Sequence, residues 1–543
     1  MPVAAQKPTS EPTSPSPRFP LRGAGRLRAA WPLLVAPLLG ALAACGFQPV
    51  ALWPLALAGT AGLLALACGA RSWGRAVLLG WLWGVGHFCL GNTWIATAFT
   101  YQAKMPAWLG GIAVFLLALY LAVYPALAAL VAFAARRRAA AAVPAFAGAW
   151  IVTEWLRGWV FTGFAWNPLG VAALAGPGRA GLAQVLPWTG TYALSGLVAL
   201  CAGLWWLGFG LRVARPLAAL GLVALPLGAM LVPQVSGPAR EGTVPFTLVQ
   251  PGIRQEVLDD PAWFEDHFRR LAGMTLPGRA APRRLVLWPE SGVPDYLRDG
   301  YPAFYYAETT FAGSPVLARR RIGQVIGPGS LLLTGAVDLE LAGEEVVAAR
   351  NAVTALDGQG TIRASYAKAH LVPYGEYLPM RGLLEPLGIS RLVPGSLDFR
   401  PGPGPRTLEL GAWGRVGVQI CYEIVFSGEV ADRAHRPDFL FNPSNDGWFG
   451  PSGPPQHLAQ ARLRAIEEGL PVLRATTNGI SAVIDADGIV RQSLPRPLTG
   501  RLEGLIPPAR APTLFARLGN LLPLCWAVVL LLGGALALRG RRG

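Results

Sequence analysis

Apolar residues crowd into residues 29–235 and again into 519–538, whereas the stretch between them carries most of the carboxylates and alternates like a folded, water-exposed domain. A bilayer core about 30 Å thick takes about 20 apolar residues per helix. That ruler predicts seven helices before the aqueous stretch, near 29–45, 49–69, 75–98, 107–135, 139–157, 180–210 and 215–234, and an eighth over 519–538. Pro32 and Pro37 predict a kinked or shallow first helix. Residues 1–28, rich in Pro, Ser and Arg without apolar periodicity, read as a disordered basic arm, and 539–543 as a short tail.

Residues 236–515 are numerous enough for one domain with a real core. Short apolar runs at Leu285–Trp288, Leu331–Val337, Ala352–Leu356, Val416–Ile420, Phe439–Phe441 and Ser481–Ile484 have the length and residue types of buried strands. Residues 456–469 space their apolar positions as a helix that Gly469 stops. Strands alternating with helices predict an α/β sandwich, so the expected fold is a polytopic helical membrane protein carrying an α/β domain. A leader read from Leu42-Ala43-Ala44-Cys45 is not expected, because another apolar segment follows Cys45 directly.

Composition agrees with that division. Of the 543 residues 52% are hydrophobic and only 14% charged, and the mean hydropathy of +0.39 excludes both disorder and an ordinary cytosolic globule. A net charge of +16 suggests nucleic acid only if the cations share one soluble face; here many Arg sit at the ends of apolar segments, so no nucleic-acid partner is expected. Arg18, Arg22, Arg26 and Arg28, then Arg71 and Arg75, Arg136 to Arg138, Arg212 and Arg215, and Arg539, Arg541 and Arg542 all fall on one side of the predicted helices. The excess of cations makes that side cytoplasmic and places 236–515 on the opposite face. All cysteines except Cys421 lie in or beside apolar segments, which leaves no disulfide for the aqueous domain. Without CxxC or HExxH spacing, no metal is expected either.

Three polar residues stand at the C-terminal ends of predicted strands, where sheet enzymes present reactive groups. Glu290 ends RRLVLWPE, where Pro289 stops the strand. Lys368 is one of three lysines, with Lys7 and Lys104, in a chain that otherwise writes its cations as Arg; retention of a compact ammonium suits a tight pocket beside a developing oxyanion. Cys421 closes GRVGVQI at a bend, as a nucleophile would. Spacing alone leaves a Cys-His-Asn arrangement open, with His370 or His457 as base.

Taken in order, LVLWPES, SYAKAHLVPYGEYLP, GVQICYE and NPSNDGWFG (442–450) resemble the nitrilase superfamily of carbon-nitrogen hydrolases, which implies an αββα sandwich with a Glu-Lys-Cys triad. EWLRGWVFTGFAWNPLG (154–170) and GWLWGVGHFCLGNTW (80–94) resemble the apolipoprotein N-acyltransferases over nearly the whole chain. The resemblance implies Glu290 as general base, Lys368 as oxyanion stabiliser and Cys421 as nucleophile, with Glu376, Tyr422 and Glu423 in support and the Tyr422 N–H at the oxyanion. It implies no cofactor, a phospholipid acyl donor such as phosphatidylethanolamine, diacylglyceryl apolipoproteins as acceptors, and a multi-pass position in a bacterial inner membrane with the catalytic domain periplasmic. A Trp that family members often carry is replaced here by Leu258 and Asp259, with Trp263 a few residues on.

Other features read more simply. Gly176, Gly178 and Gly181 spell GxGxxG, but no strand precedes them and a membrane helix follows. Trp31, Trp53, Trp108 and Trp188 read as interfacial anchors. Glu154 and Arg157 in the fifth segment read either as a structural pair or as substrate-entry residues.

Overall fold

The computed structural model describes residues 22–101, 106–211, 214–231, 241–276, 283–384, 386 and 398–539. Residues 1–21 of the expected arm, Lys7, Arg18, Lys104, Arg212, the domain boundary at 236, and Arg541 and Arg542 lie outside them. Helices occupy the apolar runs: Arg22–Ala44, Trp53–Cys68, Trp73–Gly91, Trp108–Leu121 and Val123–Ala135, Ala139–Arg157, Leu186–Leu211, Pro216–Leu231 and Leu521–Arg539. Four stretches, 108–135, 139–157, 181–211 and 521–539, are long and apolar enough to cross a membrane. The first helix begins at Arg22, ahead of the apolar run, and contains Pro32 and Pro37.

Small residues let these helices pack closely. A Cβ at Gly40 would stand 1.8 Å from the Trp83 carbonyl oxygen, and one at Gly86 1.9 Å from that of Pro37, so the first and third helices touch backbone to backbone. The last helix returns beside Ala139–Arg157, where Arg138 Nη1 donates to the Ala537 carbonyl at 2.9 Å.

The aqueous part forms two six-stranded mixed sheets. The strands are β1 (Pro245–Gln250), β2 (Leu285–Leu287), β3 (Leu331–Ala342), β4 (Glu345–Asp357), β5 (Ile362–Ala367), β6 (Thr407–Glu409), β7 (Arg415–Val418), β8 (Phe439–Ser444), β9 (Val472–Thr476), β10 (Ser481–Ile484), β11 (Val490–Leu494) and β12 (Gly500–Leu505). The sheet orders are β12-β1-β2-β3-β4-β5 and β11-β10-β9-β8-β7-β6. In each, three parallel strands are flanked by antiparallel ones: β1, β2 and β3 in the first, β7, β8 and β9 in the second. One core joins the inner faces, with Leu287, Leu333 and Val353 meeting Val418, Phe441 and Leu473. Helices Phe264–Thr275 and Pro315–Ile326 cover the outer face of the first sheet, and helix Gly453–Glu468 covers that of the second. Burial on both faces is why the central strands read as unbroken apolar runs.

Helix Gly453–Glu468 also joins the two parts of the molecule. Gln456 Oε1 accepts from Trp166 Nε1 at 2.8 Å, Gln460 Oε1 from the Asn167 N–H at 3.2 Å, and Glu467 Oε1 from the Thr191 N–H at 2.5 Å. The helix is buried nearly all round, and these three oxygens take their donors from across the junction. Gly469, at φ 65°, ends it in the left-handed conformation expected of a helix-stopping glycine.

Candidate active site

The first sheet delivers two of the three strand-end residues. Glu290 follows β2, held against β3 where the Gly335 N–H donates to the Pro289 carbonyl at 3.1 Å. A Cβ at Gly335 would meet Glu290 Cα at 2.7 Å, so only glycine permits this approach. Lys368 follows β5, fixed by its N–H to the Asn351 carbonyl at 2.9 Å. Its side chain, 1% exposed, lies 3.7 Å from Glu290 Oε1 and 2.9 Å from Glu376 Oε2. Asn351 closes the group, with Nδ2 donating to Glu290 Oε1 at 2.8 Å and to Glu376 Oε1 at 2.9 Å. The other Glu290 oxygen accepts the Asn445 N–H at 2.8 Å, and Glu376 Oε2 accepts the Val372 N–H at 2.7 Å.

Burial alone would lower the Lys368 pKa, but the charges of Glu376 and then Glu290 outweigh it and hold the group firmly as ammonium. Removing that cation leaves two buried carboxylates without a counter-charge. The expected result for Lys368→Met is a loss of about 3–5 kcal/mol, read as a fall in the thermal midpoint of detergent-purified protein. Lys368→Arg should not restore activity, because a planar fork does not replace a point charge in so closed a pocket.

The second sheet delivers Cys421, three residues beyond the last pairing of β7, in a short 3-10 turn over Cys421–Val425. Its φ of 50° is strained for a residue with a Cβ and presents the side chain at a sharp bend. Burial, followed by the Glu290 charge, pushes the thiol up, with Lys368 pulling the other way. The thiol therefore rests protonated and needs a base to become nucleophilic.

Glu423 ties this turn to the lysine segment. Its Oε1 accepts from the Tyr366 hydroxyl at 2.8 Å, the Ala369 N–H at 2.7 Å and the His370 N–H at 3.2 Å, while Oε2 accepts the Ile420 N–H at 2.7 Å. Each buried donor left unsatisfied costs about 1–3 kcal/mol. Glu423→Ala should therefore lower the thermal midpoint, and Glu423→Gln should fall between it and the wild type. Tyr422 is buried against the helical part, its hydroxyl 3.5 Å from the Gly163 carbonyl and its ring 6.5 Å from Trp166.

Neither histidine is placed as a base for the thiol. His370 stacks on Phe426 and pairs with Glu429 at 3.0 Å. His457 Nε2 lies 3.0 Å from the Cys421 carbonyl oxygen and must donate to it. Among the features read from sequence, the glycine loop is absorbed by Arg462, which donates to the carbonyls of Ala175, Gly176 and Arg179. Glu154 accepts from Trp150 Nε1 and the Leu169 N–H, and Arg157 donates to the carbonyls of Phe164 and Trp166. The pair thus braces the loop that carries Trp166. Trp31, Trp108 and Trp188 are exposed, and Trp53 is half-buried. Leu258 is buried and Trp263 is 43% exposed, and neither is among the groups touching the carboxylates.

Sequence reasoning missed Asn351 and assigned no role within SNDGWFG to Asn445, whose side chain also reaches Gln255 Oε1 at 2.8 Å. An asparagine directly before the apolar run Ala352–Leu356 was the available signal for Asn351.

Comparison with known proteins places both halves. Residues 39–231 match the apolipoprotein N-acyltransferase N-terminal domain, and 269–500 match carbon-nitrogen hydrolase. An apolipoprotein N-acyltransferase of Caulobacter vibrioides is 36% identical, covering 93% of this chain and 94% of its own. That of Rhodopseudomonas palustris is 34% identical over 90% and 92%. Among solved structures, an amidase from Nesterenkonia sp. AN1 shares 20% identity over 50% of this chain and 94% of its own, with a TM-score of 0.33. With identity of this level over nearly the full length of both sequences, the chain belongs to the apolipoprotein N-acyltransferase family.

Proposed function

We propose that the chain is an apolipoprotein N-acyltransferase of the bacterial inner membrane, with eight crossings, an αββα catalytic sandwich on the periplasmic side, and Glu290, Lys368 and Cys421 as its catalytic triad. The carrying observation is the buried cluster in which Lys368 bridges Glu290 and Glu376, electrostatically coupled to a protonated thiol on a strained turn. Eight apolar helical regions and the one-sided placement of the arginines support the crossings and orientation.

Glu290 accepts the Cys421 proton, and the thiolate attacks an ester carbonyl of a glycerophospholipid such as phosphatidylethanolamine. Lys368 and the Tyr422 N–H stabilise the tetrahedral oxyanion. The ester C–O bond breaks, lysophospholipid leaves with the proton from Glu290, and a thioester remains on Cys421. The α-amino group of a diacylglyceryl-cysteine apolipoprotein attacks next, Glu290 takes its proton, and the thiol is regenerated as the amide forms. Glu376 and Asn351 keep Lys368 and Glu290 in place. Because donor and acceptor are both lipid-anchored, the helices hold this chemistry at the membrane surface. The test is incubation of purified protein with phosphatidylethanolamine and a diacylglyceryl-cysteine peptide. Lysophospholipid and N-acyl peptide in equal amounts are expected; free fatty acid without acylated peptide would make the protein a hydrolase.

A further inference from the structure

Behind the Cys421 turn lies a fully buried polar group that the mechanism above does not use. His457, Asp446 and Arg474 are each 0% exposed. Arg474 extends from β9, Asp446 follows β8, and His457 lies on helix Gly453–Glu468. Arg474 Nη2 donates to both Asp446 oxygens, at 2.8 and 2.7 Å, and lies 3.0 Å from His457 Nδ1. Arg474 Nη1 donates to Asn442 Oδ1. Both side chains that donate to the Cys421 carbonyl are thereby anchored to one guanidinium: His457 Nε2 at 3.0 Å and Asn442 Nδ2 at 3.4 Å. A Cβ at Gly479 would stand 2.5 Å from Asp446 Oδ2, so the chain closes tightly over the group.

We infer that His457 is a positioning residue: its Nε2–H, with Nδ1 accepting from Arg474, which Asp446 in turn holds, clamps the Cys421 carbonyl and keeps the turn at its strained φ. A left-handed backbone at a residue with a Cβ persists only where its surroundings over-determine it, and here the carbonyl side is fixed by His457 and Asn442 while Glu423 fixes the preceding N–H. Burial and the neighbouring Arg474 also keep the imidazole neutral, so it carries no competing charge beside the thiol. The ring is flanked by Trp166 at 5.2 Å and Phe449 at 5.8 Å, which ties its seat to the loop of the helical part.

The inference rests on Cys421 being the nucleophile. Single-turnover acylation of Cys421 by phosphatidylethanolamine, followed by intact-protein mass, is compared in wild type, His457→Phe and His457→Gln, alongside KM for the donor and the thermal midpoint. His457→Phe fills the space without a donor and should acylate at least about tenfold more slowly with KM unchanged; His457→Gln keeps an N–H and should recover most of the rate. Wild-type rates in the Phe variant, or equal losses in both, would overturn the clamp. Imidazole 15N spectra of the wild type at neutral pH decide the matter if the Phe variant does not fold: Nε2 should be protonated, and an unprotonated Nε2 would refute the inference. If the wild type itself forms no thioester, the proposed nucleophile falls, and the spectra still test the clamp.

Discussion

Cys421→Ala should abolish acyl transfer, and Cys421→Ser should retain less than about one part in 10^3 of it. The environment accounts for so large a loss on a single-atom change. Cys421 is 6% exposed, and burial together with the Glu290 charge already disfavours the thiolate. A hydroxyl at the same place is more basic still, so Glu290 has less driving force for the proton transfer. The ester formed on Ser would also carry a poorer leaving group into the second half-reaction. Initial rates of N-acyl peptide formation with purified, folded variants check this, and a serine variant within tenfold of wild type would contradict it.

Glu290→Gln should slow thioester formation by about 10^2 to 10^4-fold. The change removes the proposed base and also places an amide where both carboxylate oxygens meet donors: the Asn445 N–H on one side, and Asn351 Nδ2 with the Lys368 ammonium on the other. Whichever way the glutamine turns, its NH2 faces another donor, and Lys368 loses the charge of one of its two carboxylate neighbours. The acyl mass on Cys421 after a single exposure to phospholipid is the readout. Loss of the thioester with donor affinity retained is expected; normal acylation would remove Glu290 from the first step.

The helical half was legible because its helices are apolar over most of their length, and the apolar runs correspond closely to the helices observed. Strands β2, β3, β4, β7, β8 and β10 were legible for a related reason: covered on both faces, they are apolar at successive positions. Strand β11 was not, because three of its five residues are exposed and it has no apolar face to read. Helices Phe264–Thr275 and Pro315–Ile326 were missed as well, their apolar positions being interrupted by charged residues. In the site, Glu290 and Cys421 stood out as polar residues closing apolar strands, and Lys368 as a rare lysine among many Arg. Asn351 acts only because the pairing of β4 with β3 and β5 sets it between two carboxylates, and sheet register is not written in a single strand. His457 looked like a base in the sequence. Its distance from the Cys421 carbonyl shows instead that its proton is committed to the backbone.

The measurement that bears most directly on the chemistry is intact-protein mass spectrometry of detergent-purified enzyme exposed to phosphatidylethanolamine and then to a diacylglyceryl-cysteine peptide, with Cys421→Ala in parallel. A hydroxylamine-sensitive acyl mass on the wild type alone, which disappears as the same acyl mass arrives on the peptide amine, is the predicted result. An acylated peptide formed by Cys421→Ala, or an acyl mass on the wild type that passes only to water, would contradict transfer through a Cys421 thioester.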